Sequence, residues 1–214
     1  MIKTRAKGAR PLHALFALPL LLAGCGPLIS LGDDGPAAEV YSLRYQGGFH
    51  DSRSAGRVVY VDEPILSDGL GGEQVSVLLD GTRRTTLDGV KWSDPLSELV
   101  RDYITRSLGH RSGVHLVGEG GLDIKAACRL GSKVWAFELL PGDRPGKDAV
   151  SVAIELSLVR LSDSTLVSHP TISKTVAVDG GDNAAVMAAF NLAMSQIAAD
   201  MTTWFGASVD SCNP

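Results

Sequence analysis

The sequence is poor in cysteine, in aromatic residues and in long apolar runs. Of its 214 residues, three are cysteine and 6% are aromatic. The cysteines are too few and too far apart for a zinc site of the Cys-x-x-Cys kind. Beyond residue 24, no apolar run reaches the roughly 20 residues that cross a bilayer. The sequence therefore argues against such a zinc site and against a membrane-spanning segment in residues 25–214.

Basic residues are scarce once the first 24 residues are set aside. The whole chain has 20 Lys and Arg residues against 24 Asp and Glu residues, and the first 24 positions hold four of the basic residues and no acidic one. The remainder has 16 basic residues and a formal charge of −8. It has no Lys and Arg cluster suited to a phosphate backbone or to anionic lipid. We therefore expect that the protein does not bind nucleic acid and that no cluster of basic residues binds it to anionic lipid.

The familiar catalytic motifs are also missing. The sequence has no His-Glu-x-x-His, no Gly-x-Ser-x-Gly and no Gly-rich phosphate loop ending in Lys-Ser or Lys-Thr. Cys128 has no neighbouring base in the sequence. Acidic pairs such as Asp62-Glu63 lie in the tether or at strand ends, where charged side chains are ordinarily solvated. We predict that the protein is not an enzyme and uses no cofactor or metal.

The first 25 residues have the layout of a bacterial secretory signal. A basic start at residues 3–10 precedes an apolar stretch from Leu12 to Leu22, followed by Ala23, Gly24 and Cys25. This pattern resembles the lipobox, in which the thiol receives a diacylglyceryl group and the new amino terminus is acylated. The alternative is an ordinary cleaved signal with an incidental cysteine. We predict that Cys25 is the lipidation site.

The lipobox also predicts where the mature chain lies. Residues 1–24 are the signal peptide, and palmitate-type acyl chains on Cys25 give a stable anchor. Gly26 replaces the aspartate that marks inner-membrane retention in enteric bacteria, which favours the outer membrane. Residues 25–38, rich in Gly, Pro and Asp, read as a short lipidated tether.

The other two cysteines, Cys128 and Cys212, have two open interpretations. The oxidising periplasm permits a disulfide between them, which would pin the tail of residues 207–214 to the central region. Otherwise they are independent thiols. We predict the disulfide.

Apolar periodicity predicts two amphipathic helices. The first follows Asp94, expected as the N-cap, and Pro95, and ends at Gly109; the second runs from about Asn183 to Phe205. The predicted buried face of the first helix is Leu96, Leu99, Val100, Tyr103, Ile104 and Ser107. The predicted stripe of the second is Val186, Phe190, Met194, Ile197, Met201 and Trp204.

Alternating and β-branched segments predict the strands. They are Val58–Val61, Val75–Leu79, Arg83–Leu87, Val114–Val117, Lys133–Leu140, Val150–Leu161 and a last strand reaching Val178. Asp80-Gly81 predicts a hairpin turn, and the last three strands form an antiparallel meander. Trp135, Phe137 and Leu139 are expected on one strand face. The prediction is one α+β domain over residues 39–206: a two-layer sandwich, with a mostly antiparallel sheet and both helices on one face.

The order of these parts resembles the ABC-type transport auxiliary lipoprotein family. The resemblance rests on the lipobox, Tyr41-Ser42-Leu43, the Val-rich strand ending at Pro64, the hairpin, Trp92 with its Ser-Asp-Pro-Leu, the meander and the long closing helix. It covers residues 39–205 and is most specific over residues 75–108. The segment between Leu43 and Val58 departs from the pattern, because it is rich in Gly, Ser and charge.

The resemblance implies a lipid-anchored component of an MCE-type ABC transporter, located at the outer membrane and facing the periplasm. The cargo would be phospholipid or another hydrophobic molecule. The implied partners are an MCE-domain protein and the ABC permease and ATPase of the same system, and a homo-oligomer is compatible with this role. The protein would act by docking to the conduit and would not hydrolyse ATP.

Two alternatives stay open at this point: a self-contained binder of a hydrophobic ligand, and an envelope assembly factor. The helix stripes would line the ligand pocket of the former, although such stripes are more often plain core. Candidate partner-surface residues are Gly71 and Gly72, the hairpin tip Asp80-Gly81, and Trp92. Trp92 otherwise packs under the start of the first helix.

Overall fold

The computed structural model describes residues 37–48, 56–109, 114–118, 124–144 and 146–213. The predicted signal peptide, Cys25 and nearly all of the tether lie outside these residues. The elements are β1 (Glu39–Tyr41), β2 (Arg57–Val61), β3 (Ile65–Leu66), β4 (Gln74–Leu79), β5 (Arg83–Trp92), α1 (Leu96–Leu108), β6 (Val114–Val117), β7 (Cys128–Leu140), β8 (Ala149–Arg160), β9 (Thr165–Ser168), β10 (Thr171–Ala177) and α2 (Asn183–Ser208), followed by a 3-10 turn, Val209–Cys212.

The two longest strands, β7 and β8, form the middle of one sheet. They pair antiparallel along their whole length, from Cys128 opposite Arg160 to Leu140 opposite Ala149. The other edge of β7 pairs in turn with β2, β3 and β4, and the sheet continues from β2 to β6 and from β4 through β5 to β1. The other edge of β8 carries β9 and β10.

The sheet is mixed, whereas the sequence predicted a mostly antiparallel one. The meander of β7, β8 and β10 and the β4–β5 hairpin are antiparallel as predicted. The described pairs β1–β5, β2–β6, β2–β7, β3–β7 and β4–β7 are parallel. Parallel neighbours are joined through long connections, so no local turn marks them in a sequence. The α+β class, with a large sheet and two helices, is confirmed.

The predicted last strand is interrupted in the structure. Its two parts, β9 and β10, are separated by His169 and Pro170. Proline has no backbone N–H to donate to a ladder. The carbonyl of Pro170 still accepts a hydrogen bond from the Leu156 N–H at 2.8 Å, so the chain continues along β8 into the second part.

Helix α1 buries the predicted face. All six predicted side chains are buried, together with Leu108. The helix starts one residue later than expected, because Pro95 is the N-cap and Asp94 makes no capping bond. The Asp94 carboxylate instead accepts from the Ser93 hydroxyl at 2.8 Å. The periodicity therefore predicted the buried face correctly and the cap wrongly.

Helix α2 is the core helix of the domain. Its predicted stripe is buried except for Trp204, which is half-buried and donates from Nε1 to Ser168 Oγ at 2.8 Å. Asp182 caps the helix by accepting from the Ala185 N–H. By length and composition, α2 with its 3-10 turn is apolar enough to cross a membrane, a property that the sequence analysis missed. Ten of its side chains are buried in this domain, where it packs on β8, β10 and α1.

A β-bulge in β7 overturns the prediction for Trp135. Consecutive residues of β8 pair with Val134 and Ala136, which leaves Trp135 as the extra residue. Its side chain is 45% exposed, whereas Phe137 is 1% exposed. The two aromatic side chains therefore do not share a face.

The predicted disulfide is present between Cys128 and Cys212. Their Cα atoms are 5.6 Å apart, and both residues are buried. The link attaches the final 3-10 turn to the start of β7. It closes a loop of 84 residues, for which the chain-entropy model gives about 4.5 kcal/mol, an upper value that disulfides often fall short of.

Candidate functional site

The predicted partner-surface residues do not form one surface. Gly71 and Gly72 are exposed at one end of β4, where the Gly72 carbonyl accepts from the Leu96 N–H at 3.1 Å and supports the start of α1. Asp80 and Gly81 are exposed beyond the other end, with φ values of 53° and 71° that suit a type I′ turn. The six residues of β4 separate the two sites by about 20 Å.

Trp92 belongs to the core, so the prediction of a surface role for it is wrong. Its side chain is 1% exposed. Its ring centroid lies 5.7 Å from that of Phe137 and 5.5 Å from that of Phe190, and these two phenylalanines stack on each other at 5.0 Å. The three rings join β5, β7 and α2, and Trp92 ends its strand just before α1. This agrees with the alternative reading of Trp92 as packing under the helix start.

A polar cleft of about 300 Å³ runs between the segment after β1 and helix α1. It is lined by Ser42, Leu43, Arg44, Tyr45, Asp94, Leu99, Asp102, Tyr103 and Arg106. The last four of these are at positions i, i+3, i+4 and i+7 of α1, so they lie on one side of the helix. The sequence analysis assigned Leu99 and Tyr103 to the buried face of the helix and expected Asp94 as its N-cap. It missed the cleft because nothing in the sequence places residues 42–45 beside this helix.

Two tyrosines form the aromatic floor of the cleft. Tyr103 is 3% exposed, and its ring meets that of Tyr45 edge to face with centroids 5.7 Å apart. Burial, with a smaller contribution from Tyr45, raises the pKa of Tyr103 to about 12. The Tyr103 hydroxyl therefore keeps its proton at neutral pH and remains a neutral hydrogen-bonding group.

Hydrogen bonds hold the segment that forms one wall of the cleft. The Ser93 N–H donates to the Tyr41 carbonyl at 2.7 Å where the segment starts. Further along, the Arg44 N–H donates to Asn191 Oδ1 at 3.0 Å, and the Asn191 amide donates to the Met187 carbonyl within α2. The wall is thus attached to both the sheet and the core helix.

Exposed side chains of both charge signs surround the cleft opening. Arg44, Asp94, Asp102 and Arg106 are all exposed. The cleft opening therefore presents both charge signs to solvent, and its Asp94 carboxylate accepts from the Ser93 hydroxyl.

A second distinctive surface lies around Trp135. The Lys133 ammonium is 3.4 Å from the centroid of the Trp135 ring, and Trp135 Nε1 donates to Glu155 Oε2 at 2.9 Å. Glu155 Oε1 also lies 3.0 Å from His169 Nε2. The hydrogen bond from Trp135, with those from His169 and the nearby positive charges, keeps the pKa of Glu155 below its usual range. These contacts orient an exposed aromatic side chain.

An ion pair between a buried carboxylate and a partly exposed arginine supports the loop before β4. Glu138 is 4% exposed and accepts from Arg84 Nε at 2.9 Å. Arg84 Nη1 also donates to the Asp68 carbonyl at 2.7 Å, which links this loop to β5 and β7. In the described part of the chain, no three His, Cys, Asp or Glu side chains are placed to hold a metal ion.

Comparison with known proteins identifies the family. Residues 41–202 match the family model described as the ABC-type transport auxiliary lipoprotein component. The chain belongs to this family. The lipoprotein is therefore a transport auxiliary component, membrane-anchored on the periplasmic side, and its family is not one of known enzymes. The predicted family is confirmed, and no curated protein matches the sequence.

Solved structures share the fold of the lipoprotein. The protein XCC0632 from Xanthomonas campestris, of the family model DUF330, has a TM-score of 0.68 at 17% identity; the match covers 80% of this chain and 97% of that chain. A second crystal structure, of an uncharacterised protein, has a TM-score of 0.63 at 14% identity, with 79% and 99% covered. At these identities the similarity concerns the fold alone.

Proposed function

We propose that this lipoprotein is an outer-membrane-anchored auxiliary component of an MCE-type ABC transporter that moves phospholipid or other hydrophobic cargo between the inner and outer membranes. Family membership carries the proposal, because the matched residues 41–202 span nearly the whole domain. Cys25 in its lipobox supplies the anchor, and Gly26 favours the outer membrane.

The lipoprotein acts by docking to the conduit. An acyl anchor confines the domain to the membrane surface and so raises its effective concentration for a partner. The domain offers a charged cleft and an oriented, exposed Trp135 for such contacts. Its partner is an MCE-domain protein, and the permease and ATPase of the same system supply the energy.

Packing favours docking over the alternative of an enclosed hydrophobic ligand. The predicted stripes of both helices are buried within the domain, except for the half-buried Trp204. Apolar side chains that the core already uses are not free to line a lipid pocket. The described cleft is instead surrounded by charged side chains.

Purification of the full-length, tagged lipoprotein from native membranes in mild detergent tests the proposal. The MCE-domain protein should be recovered with it, measured by mass spectrometry. The Cys25→Ala variant should leave the membrane fraction and recover at least about tenfold less partner, because the effective concentration falls. If the wild-type lipoprotein brings stoichiometric lipid and no MCE-domain protein, the ligand-binding alternative is correct.

A further inference from the structure

We propose that the open edge of strand β10 binds an extended segment of the MCE-domain partner as an added strand. This inference rests on the proposed function, because it names the surface and the backbone chemistry by which the partner docks. Strand β10 has seven residues and, in the described part of the chain, pairs only with β8. Three observations carry the proposal: the direction of its backbone groups, its lack of edge protection and its position beside Trp135.

The register of β10 on β8 shows which backbone groups face outward. In an antiparallel pair, alternate residues direct both N–H and C=O to the neighbouring strand, and the residues between them direct both away. The Pro170 carbonyl accepts from the Leu156 N–H, and the Val178 N–H donates to the Asp148 carbonyl, both at 2.8 Å. The pairing between these two points has no register shift, so the even-numbered residues face β8. The outward residues are Thr171, Ser173, Thr175 and Ala177.

The outward backbone groups are open to a partner. All four outward residues are exposed, and within the described residues their N–H and C=O groups make no hydrogen bond. They offer four donors and four acceptors along about 20 Å. An extended polypeptide can satisfy all of them by strand addition. A lipid acyl chain has no groups that match this repeat.

Strand β10 lacks the features that protect sheet edges from pairing. Its outward residues are uncharged, and it has no proline and no bulge. The Lys174 ammonium contacts the Asp200 carboxylate of α2 at 2.6 Å. The other open edges differ, because β1, β3, β6 and β9 have two to four residues, and the open stretch of β5 contains Arg83, Asp88 and Gly89. The edge of β10 is therefore suited to strand pairing.

The edge adjoins the surface around Trp135. Thr171 lies directly opposite Glu155, whose carboxylate accepts from Trp135 Nε1. The outward residues of β10 and the Trp135 side chain therefore share a sheet face. Strand β10 lies two strands from β7, or about 10 Å. A partner segment on this edge brings the chain that follows it within reach of Trp135.

A second copy of the lipoprotein fits the edge less well than a different chain does. Two antiparallel β10 strands in full overlap would pair Thr171 with Ala177 and Ser173 with Thr175. Lys174 would then lie opposite Lys174, and like charges directly opposite each other are destabilising. A shift of two residues would lose one of the four hydrogen-bonded pairs. A partner segment can place an uncharged, β-branched residue at this position, so we assign the edge to the partner.

A single proline tests the inference in the full-length, membrane-anchored lipoprotein. Ser173→Pro removes one outward N–H and leaves the bonds to β8 in place, and edge strands tolerate proline at such positions. This variant should recover at least about tenfold less MCE-domain protein from native membranes than wild type. Ser173→Ala keeps the N–H, so this matched control should recover as much as wild type. Thermal melting of both variants checks that they fold.

A second pair of variants decides the matter if the proline disturbs the fold. Ser173→Lys with Thr175→Lys keeps every backbone group but adds charge at the edge, which opposes strand pairing. It should also recover at least about tenfold less MCE-domain protein. Ser195→Lys with Gln196→Lys adds the same charge at exposed residues of α2 and should recover as much as wild type.

Hydrogen exchange, resolved to single residues by fragmentation mass spectrometry, tests strand addition directly. In the isolated lipoprotein the amides of Ser173 and Thr175 should exchange fast. Those of Lys174 and Val176 should exchange slowly, because they are bonded to β8. The bound partner should slow Ser173 and Thr175 at least about tenfold. Slow exchange at all four residues without the partner would show that the edge is already covered and would overturn the inference.

These experiments separate failure of the inference from failure of the proposed function. If wild type and the two edge variants recover the MCE-domain protein equally, β10 is not its docking site, while the proposed function stands. If even the wild type recovers none, both fall.

Photo-crosslinking identifies what occupies the edge. A benzophenone amino acid replacing Ala177, at the end of the strand, should crosslink to one segment of the MCE-domain protein. The same amino acid replacing Gln196 on α2 should not. Crosslinks from position 177 only to lipid, or only to a second copy of the lipoprotein, would overturn the inference.

Discussion

The two halves of the domain are stabilised in different ways. Residues 128–213 form long antiparallel strands, α2 and the disulfide, and the inward side chains of β8 are completely buried. Residues 37–117 contribute strands of two to six residues apart from β5, which join the first group through parallel pairing with β7. This N-terminal half also carries all the residues that line the cleft. The long antiparallel strands thus belong to the C-terminal half, and the cleft belongs to the half with the shorter strands.

The largest effect is expected in the C-terminal core. Phe190→Ala removes a ring that contacts both Trp92 and Phe137, so the free energy of unfolding should fall by about 4 kcal/mol. Leu192→Ala on the same helix is the control, because Leu192 is 50% exposed, and it should cost less than about 1 kcal/mol. Urea unfolding followed by circular dichroism measures both. If the two variants lost the same free energy of unfolding, Phe190 would be no more buried than Leu192.

The next largest effect concerns the ion pair that joins the halves. Arg84→Ala leaves the buried Glu138 carboxylate without its partner, and stability should fall by about 3 kcal/mol. Arg83→Ala is the matched control, since Arg83 pairs with Asp80 at the exposed hairpin tip and should cost less than about 1 kcal/mol. If Arg84→Ala lost no more stability than Arg83→Ala, the Arg84–Glu138 pair would not stabilise the domain.

Removing the disulfide should weaken the C-terminal core to a similar or smaller degree. In the Cys128→Ala, Cys212→Ala variant the final 3-10 turn loses its covalent attachment to β7, and stability should fall by about 2 to 3 kcal/mol. Thermal unfolding of wild type with and without reductant gives the same comparison. A reductant-insensitive wild type with two titratable thiols would show that the bond is absent.

The smallest effect is expected at the wall of the cleft. Asn191→Ala removes the acceptor for the Arg44 N–H, at a cost of about 1 kcal/mol. Hydrogen exchange, read by mass spectrometry, should accelerate in residues 42–45 and stay unchanged in β8. Asn183→Ala, which removes an exposed contact to the Asp88 carbonyl, is the control and should leave residues 42–45 as in wild type. Unchanged exchange in the Asn191 variant would show that α2 does not hold this wall.

Sequence reasoning succeeded mainly where the information was local, although it placed the cap of α1 at Asp94 instead of Pro95. The buried face of α1, the stripe of α2, the Asp80-Gly81 turn and the meander all depend on residues within a few positions of each other. It failed at Trp135, because a bulge changes which side chains share a face and leaves no local signature. It also missed the parallel pairs and the position of residues 42–45, which depend on contacts between distant segments.

The sequence by itself determined the family, the lipobox at Cys25 and the α+β class. These follow from short motifs and from the periods of helices and strands. For Cys128 and Cys212 the sequence left a disulfide and two independent thiols open, and the tertiary structure decided for the disulfide. The tertiary structure alone decided that Trp92 is core, that Trp135 is exposed and that the segment after β1 forms a cleft with α1. Burial and proximity depend on which distant strands pair, and that choice minimises the free energy of the whole domain rather than of any segment.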